Sequence, residues 1–172
     1  FRSPAAISLL LILPIALPGI VTGIALNNVF TSFLGGLTIW TLIIGHATFC
    51  IVVVYNNAIA RIRRMGTSLE EASSDLGASG WTTFRLVTFP MMRGALLAGA
   101  ILAFALSFDE IVVTTFTAGP TVQTLPIWIF GNLFRPNQAP VINVVAATLT
   151  VLAVLPVWLA QRFGGDVAGG RV

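Results

Sequence analysis

Lysine is absent from this chain, and charge of either sign is scarce. Nine arginines stand against six carboxylates in 172 residues, so charged side chains make up 9% of the total. Soluble domains carry about a quarter charged residues, which places this chain outside that class. Cysteine and histidine occur once each, as Cys50 and His46. One cysteine excludes an internal disulfide, and no Cys/His spacing suits a metal. A Gly-x-x-x-x-Gly-Lys-[Ser/Thr] loop is also missing, so the chain has no cradle of that kind for nucleotide phosphates. No catalytic constellation forms, and neither a cofactor nor enzymatic activity is expected. His46 lies inside an apolar run and reads as a satisfied packing or pathway group. The high pI, near 10.5, comes from scattered arginines. No basic stripe or aromatic platform accompanies them, which argues against nucleic acid.

What the chain has is grease. Hydrophobic residues form 56% of it, and the mean hydropathy is +0.95. A hydrocarbon core of about 30 Å needs roughly twenty apolar residues in a helix. Four segments qualify, at about 5–30, 37–60, 91–117 and 141–160. No strand-length alternation repeats, so the expected fold class is an all-α membrane protein with membrane lipid around it. Pro14 and Pro18 are placed to kink the first span, though proline is also tolerated in membrane helices. Arg2, Arg61, Arg63, Arg64, Arg85, Arg93, Arg162 and Arg171 flank the spans on one side, and only Arg135 falls on the other. That bias predicts a cytoplasmic loop over 61–90, an outer loop over 118–140, and four crossings in a single domain, 1–172. The chain starts at Phe1 without a recognisable signal peptide, so a piece of a longer protein is expected.

Two polar islands interrupt the grease. The first, "EEASSDLGASG" from Glu70 to Gly80, holds three of the six acidic residues. Thr67 and Ser68 each precede a glutamate by three residues, the pattern of a capping box. Glu70 and Glu71 would sit in a first turn, where the helix dipole favours anions. Gly77 stands where a helix would stop, in the left-handed conformation. A second short helix is expected after Gly80, from Trp81 through Phe89, ending before Pro90. The segment reads as two short helices meeting at a glycine elbow, or as a solvated connector.

The second island is Ser107-Phe108-Asp109-Glu110. Carboxylates within a membrane are costly and mark function by default. Asp109 and Glu110 point about 100° apart on a helix, which argues against both facing one pathway. The alternative is that the helix ends here and both acids are wetted at the outer interface.

The whole pattern adds to these local signals. Glu71-Ala72-Ser73, three residues, Gly77, nine residues and Val87-Thr88-Phe89-Pro90 resembles the Glu-Ala-Ala loop of ABC importer permeases. Ser73 departs from the second alanine of that pattern, Val87 from its isoleucine and Phe89 from its leucine. "SFDEIVVTTFTAG" followed by "TLPIWIF" resembles the spermidine/putrescine branch. The resemblance covers the whole chain. It implies the transmembrane domain of a type I ABC importer, here four spans with a cytoplasmic coupling-helix pair. Six spans are usual, so two helices are expected to precede this chain. It further implies that Glu70, Glu71, Ala72, Ser73, Asp75, Gly77 and Pro90 couple to a separate ATPase subunit. Asp109 and Glu110 become candidates for the pathway of a polyamine such as spermidine or putrescine. The implied partners are the ABC ATPase, a second permease subunit or a copy of this one, and an extracytoplasmic substrate-binding protein. Branches for iron, thiamine and phosphonate-type compounds share the loop. A secondary transporter, the reading from another class, predicts an internal repeat that the span pairs do not show.

Overall fold

Backbone groups in lipid have no water to bond with, and a helix satisfies them within one segment. The computed structural model describes residues 17–168, and every regular element among them is helical. In chain order these are α1 (Gly19–Phe33), α2 (Ile39–Arg64), α3 (Ser68–Asp75), α4 (Gly80–Thr83), α5 (Phe89–Phe108), α6 (Val112–Thr117), α7 (Leu125–Asn132) and α8 (Ala139–Ala168). A π-helical turn, Phe84–Thr88, joins α4 to α5, and a 3-10 turn, Pro136–Gln138, leads into α8. Three stretches are long and apolar enough to cross a membrane: Ile39–Arg64, Gly80–Phe108 and Pro136–Leu155.

The expected spans need correcting at several points. Residues 5–16 of the first span, with Pro14, lie outside the described residues. Pro18 does not kink a helix; it is the cap of α1, and its carbonyl accepts from the Val21 and Thr22 amides at 2.8 and 3.2 Å. A proline there forfeits no bond, because the first amides of a helix have no partner within it. The third span does not run unbroken from 91 to 117. It stops at Phe108, and α6 restarts at Val112. The second short helix does not end before Pro90 but continues through the π turn into α5. Pro90 has no N–H and crowds the carbonyl four residues back. The π turn loosens the backbone just ahead of it, with the Phe89 amide bonded five residues back to the Phe84 carbonyl.

The chain divides into two compact units, residues 17–52 with 103–154 and residues 53–102 with 155–168. In the first, α6 lies close against α1. A β-carbon on Gly23 would come within 2.7 Å of the Phe116 ring, and one on Gly45 of α2 within 3.1 Å of Thr117. Small residues of this kind allow membrane helices to approach, and polar side chains then bond across the seam. The Asn27 amide donates to the Phe116 carbonyl at 2.7 Å, and the Thr41 hydroxyl lies 2.8 Å from the Thr117 carbonyl. Thr114 and Thr117 are fully buried. In the second unit Gly99 lies against the Val54 backbone, and Arg61 Nε donates to the Met91 carbonyl at 2.9 Å. Large apolar residues such as Val144, Val151 and Leu152 stay exposed, as suits a surface whose solvent is lipid.

Candidate functional site: a rigid polar corner and a broken span

The polar island folds as a corner. α3 opens at Ser68 with Glu70 and Glu71 in its first turn, where the dipole stabilises each by about 0.3–1 kcal/mol. The expected capping box is not formed. Thr67 already has helical backbone angles (φ −77°, ψ −11°) and makes no side-chain cap bond, whereas a capping hydroxyl needs an extended residue to reach back. Glu70 instead accepts from the Thr88 hydroxyl at 2.6 Å.

The elbow matches its expectation. Gly77 has φ +79°. Its amide donates to the Ser74 carbonyl at 2.9 Å, and the Ala78 amide donates to the Ser73 carbonyl at 3.1 Å. These two bonds satisfy carbonyls that a helix end otherwise leaves open. Ser79, which the sequence reading passed over, caps α4 by accepting from the Thr82 amide at 3.3 Å. Its signal was a serine directly before the helix start. A second tie was also missed. The Ser73 hydroxyl lies 2.9 Å from that of Thr83, so the residue departing from the alanine pattern links the two short helices.

The result is a braced corner with an exposed tip. Leu76 is 89% exposed and Trp81 70%, with Trp81 stacked on Phe84 at 5.6 Å. Glu71, Ala72 and Asp75 are exposed beside them. An apolar tip flanked by carboxylates and held by short bonds is suited to insertion into a groove. Glu70 through Gly77 share this corner, while Pro90 stands beyond the π turn in the first turn of α5.

The second island marks the helix break. The Asp109 amide makes the last bond of its helix, to the Ala105 carbonyl at 3.2 Å. Glu110 then turns its carboxylate onto the next helix, accepting from the Val113 amide at 2.9 Å. The two acids therefore separate. Glu110 is half-buried and serves as a cap, whereas Asp109 is exposed. Asp109 helps line a small cavity of about 210 Å³ with Phe108, Ile111, Ile129, Phe130 and Leu133 among others.

His46 clasps the break. Its Nδ1 lies 2.8 Å from the Ser107 hydroxyl in α5, and its Nε2 lies 2.7 Å from the Thr114 hydroxyl in α6. Thr114 Oγ1 also sits 2.6 Å from the Glu110 carbonyl, which can only accept. The single Thr114 proton goes there, so in a neutral imidazole Nε2 donates to Thr114 and Nδ1 accepts from Ser107. The Glu110 carbonyl, left open by the break, is thereby satisfied within the protein. His46 and Ser107 also line an open cleft of about 510 Å³ with Cys50, Phe104, Phe108 and Thr124. Thr124 Oγ1 is buried there without a hydrogen-bond partner among the described residues.

Residues 3–167 match the family described as binding-protein-dependent transport system inner membrane component. The chain belongs to that family. It is similar to the putrescine transport system permease protein PotI of Escherichia coli strain K12, 34% identical over 158 residues that cover 87% of this chain and 55% of PotI. It is 32% identical over 171 residues to the spermidine/putrescine transport system permease protein PotC of the same strain, covering 99% of this chain and 64% of PotC. The PotC protein of Haemophilus influenzae is 32% identical over 161 residues, covering 94% of this chain and 62% of the relative. The chain thus spans a little over half the length of these curated relatives. Membership of an inner-membrane family, with three helices long enough to span, makes this chain an all-α, multi-pass protein of the cell membrane.

Proposed function

We propose that this chain forms part of the permease subunit of an ATP-driven importer and lines the membrane pathway for a polyamine such as putrescine or spermidine. The braced corner from Glu70 to Gly80 carries the proposal. It is a hydrogen-bonded, exposed surface on a chain without a phosphate-binding loop of its own, which suits the docking of a separate motor protein. The arginine bias supports a cytoplasmic position for the corner, where a separate ATPase is available. The polyamine relatives supply the substrate class, and Asp109, exposed at a break in the third span, offers a carboxylate to a cation in a poorly hydrated passage.

The complete importer then holds two permease subunits (this one with a second or with a copy of itself), two ATPase subunits and an external binding protein. ATP-driven closure of the ATPases pushes the corner, and α5 receives that push through the continuous α4–π–α5 rod. The spans respond by exchanging outward and inward access. A test is reconstitution of the full-length protein with these partners in liposomes, with ATP inside and the binding protein outside. Radiolabelled putrescine should accumulate only with hydrolysable ATP. Accumulation driven by an ion gradient without ATP would assign the chain to secondary transport.

A further inference from the structure

The missing capping box leaves two polar side chains facing another use. Thr67 and Glu70 line a partly enclosed cavity of about 420 Å³, together with Ile62, Met65, Phe84 and Met92 among its walls. This volume falls within the roughly 300–1,000 Å³ typical of small-molecule sites, which combine apolar walls with few polar groups. All the lining residues belong to the second compact unit. Glu70 is the one charged residue among them. It is half-buried, and among the described residues its carboxylate receives one side-chain bond, from Thr88. An ionised carboxylate accepts about four, so Glu70 keeps acceptor capacity toward the cavity.

The π turn shapes this place. Phe84 opens the turn and Thr88 closes it, and both line the cavity. Single π turns occur often at functional sites. The Phe84 ring adds an aromatic surface of the kind that attracts ammonium groups.

We propose that this cavity binds a small alkylammonium ion, with its charged head at Glu70 and Thr67 and its carbon chain along Met65 and Met92. The choice of a polyamine as occupant rests on the proposed function; the preference for an ammonium over a neutral molecule rests on the cavity. On the cytoplasmic side such a site meets the transported amine after release. Its occupant shares Glu70 with Thr88, one of the ties bracing the docking corner, so the site senses product where the motor binds.

Equilibrium dialysis of radiolabelled putrescine tests this, using the full-length permease assembled with its partner subunits in lipid nanodiscs. The external binding protein is omitted, and the Asp109→Asn background removes the other candidate carboxylate. Saturable binding is expected, with no competition by 1,4-butanediol, the uncharged molecule of equal length. Glu70→Gln should weaken it about ten-fold or more, the worth of a charged hydrogen bond. Met65→Trp should abolish it by filling the cavity, with folding of each variant checked by gel filtration. Absence of saturable binding, or binding that both variants leave unchanged, would overturn the inference. If the protein with Asp109 intact still takes up putrescine with ATP in that case, the proposed function stands. Binding that survives while the protein with Asp109 intact fails to transport putrescine would overturn the proposed function and leave the amine site.

Discussion

Gly77→Pro is expected to abolish putrescine uptake and the transport-linked part of ATP hydrolysis, with the protein still inserted in the membrane. Gly77 holds φ +79°, and proline fixes φ near about −65°. The substitution also removes the amide that bonds the Ser74 carbonyl. Both changes fall on the elbow and none on a spanning helix, so insertion is unaffected. Gly77→Ala provides the graded control. An added β-carbon meets nothing within 4 Å, leaving only the backbone cost of a left-handed alanine, about 1–2 kcal/mol. It should reduce uptake without abolishing it. Glu71→Lys acts differently, placing a cation against the α3 dipole at a cost of about 0.3–1 kcal/mol and reversing a charge beside the exposed tip. The expected order of defect is Gly77→Pro, then Glu71→Lys, then Gly77→Ala. Uptake and substrate-stimulated ATP hydrolysis at equal expression would measure it. Full stimulation in Gly77→Pro would remove the corner from the coupling path.

The second large effect is expected at Asp109. Asp109→Asn should cut uptake strongly, with substrate binding to the external protein unchanged. A charge at contact with a cation is worth about 4 kcal/mol at an effective dielectric of 20, an upper bound of roughly a thousand-fold. Glu110→Gln should cost far less. The Glu110 carboxylate is occupied by the Val113 amide, and a glutamine oxygen can accept that same bond. Uptake of radiolabelled spermidine in cells lacking other polyamine importers separates the two. A larger loss in Glu110→Gln would show that the capping acid, rather than the exposed one, serves the pathway. Normal uptake in both and in the double variant would make these acids interfacial bystanders.

Length and polarity of the apolar runs were enough to read α2, α5 and α8 as spanning helices, because a helix is the structure that satisfies backbone in lipid. The elbow was legible too, since a left-handed turn after an acidic short helix calls for glycine at 77. Four features were not. The break after Phe108 lies inside an apolar pattern that continues through Val112 and Val113, and only the acids hinted at it. The clasp by His46 depends on Ser107 and Thr114, which are 61 and 68 residues away, beyond any local pattern. The capping box failed because Thr67 enters α3 already wound, which hydroxyl-to-glutamate spacing does not report. Pro90 misled for a related reason, since a proline next to a π turn can be carried inside a continuous rod.

Photo-crosslinking from the tip of the corner tests the central claim most directly. Leu76 and Phe134 are matched in exposure, at 89% and 82%, but Leu76 stands at the elbow and Phe134 in the segment between α7 and α8. A benzophenone amino acid placed at either position in the assembled importer, in native membranes, reports what lies against it. On irradiation, position 76 should join the permease to the ATPase subunit and position 134 should not. An ATPase adduct from position 134, or none from position 76, would contradict the docking of the motor at Glu70 to Gly80.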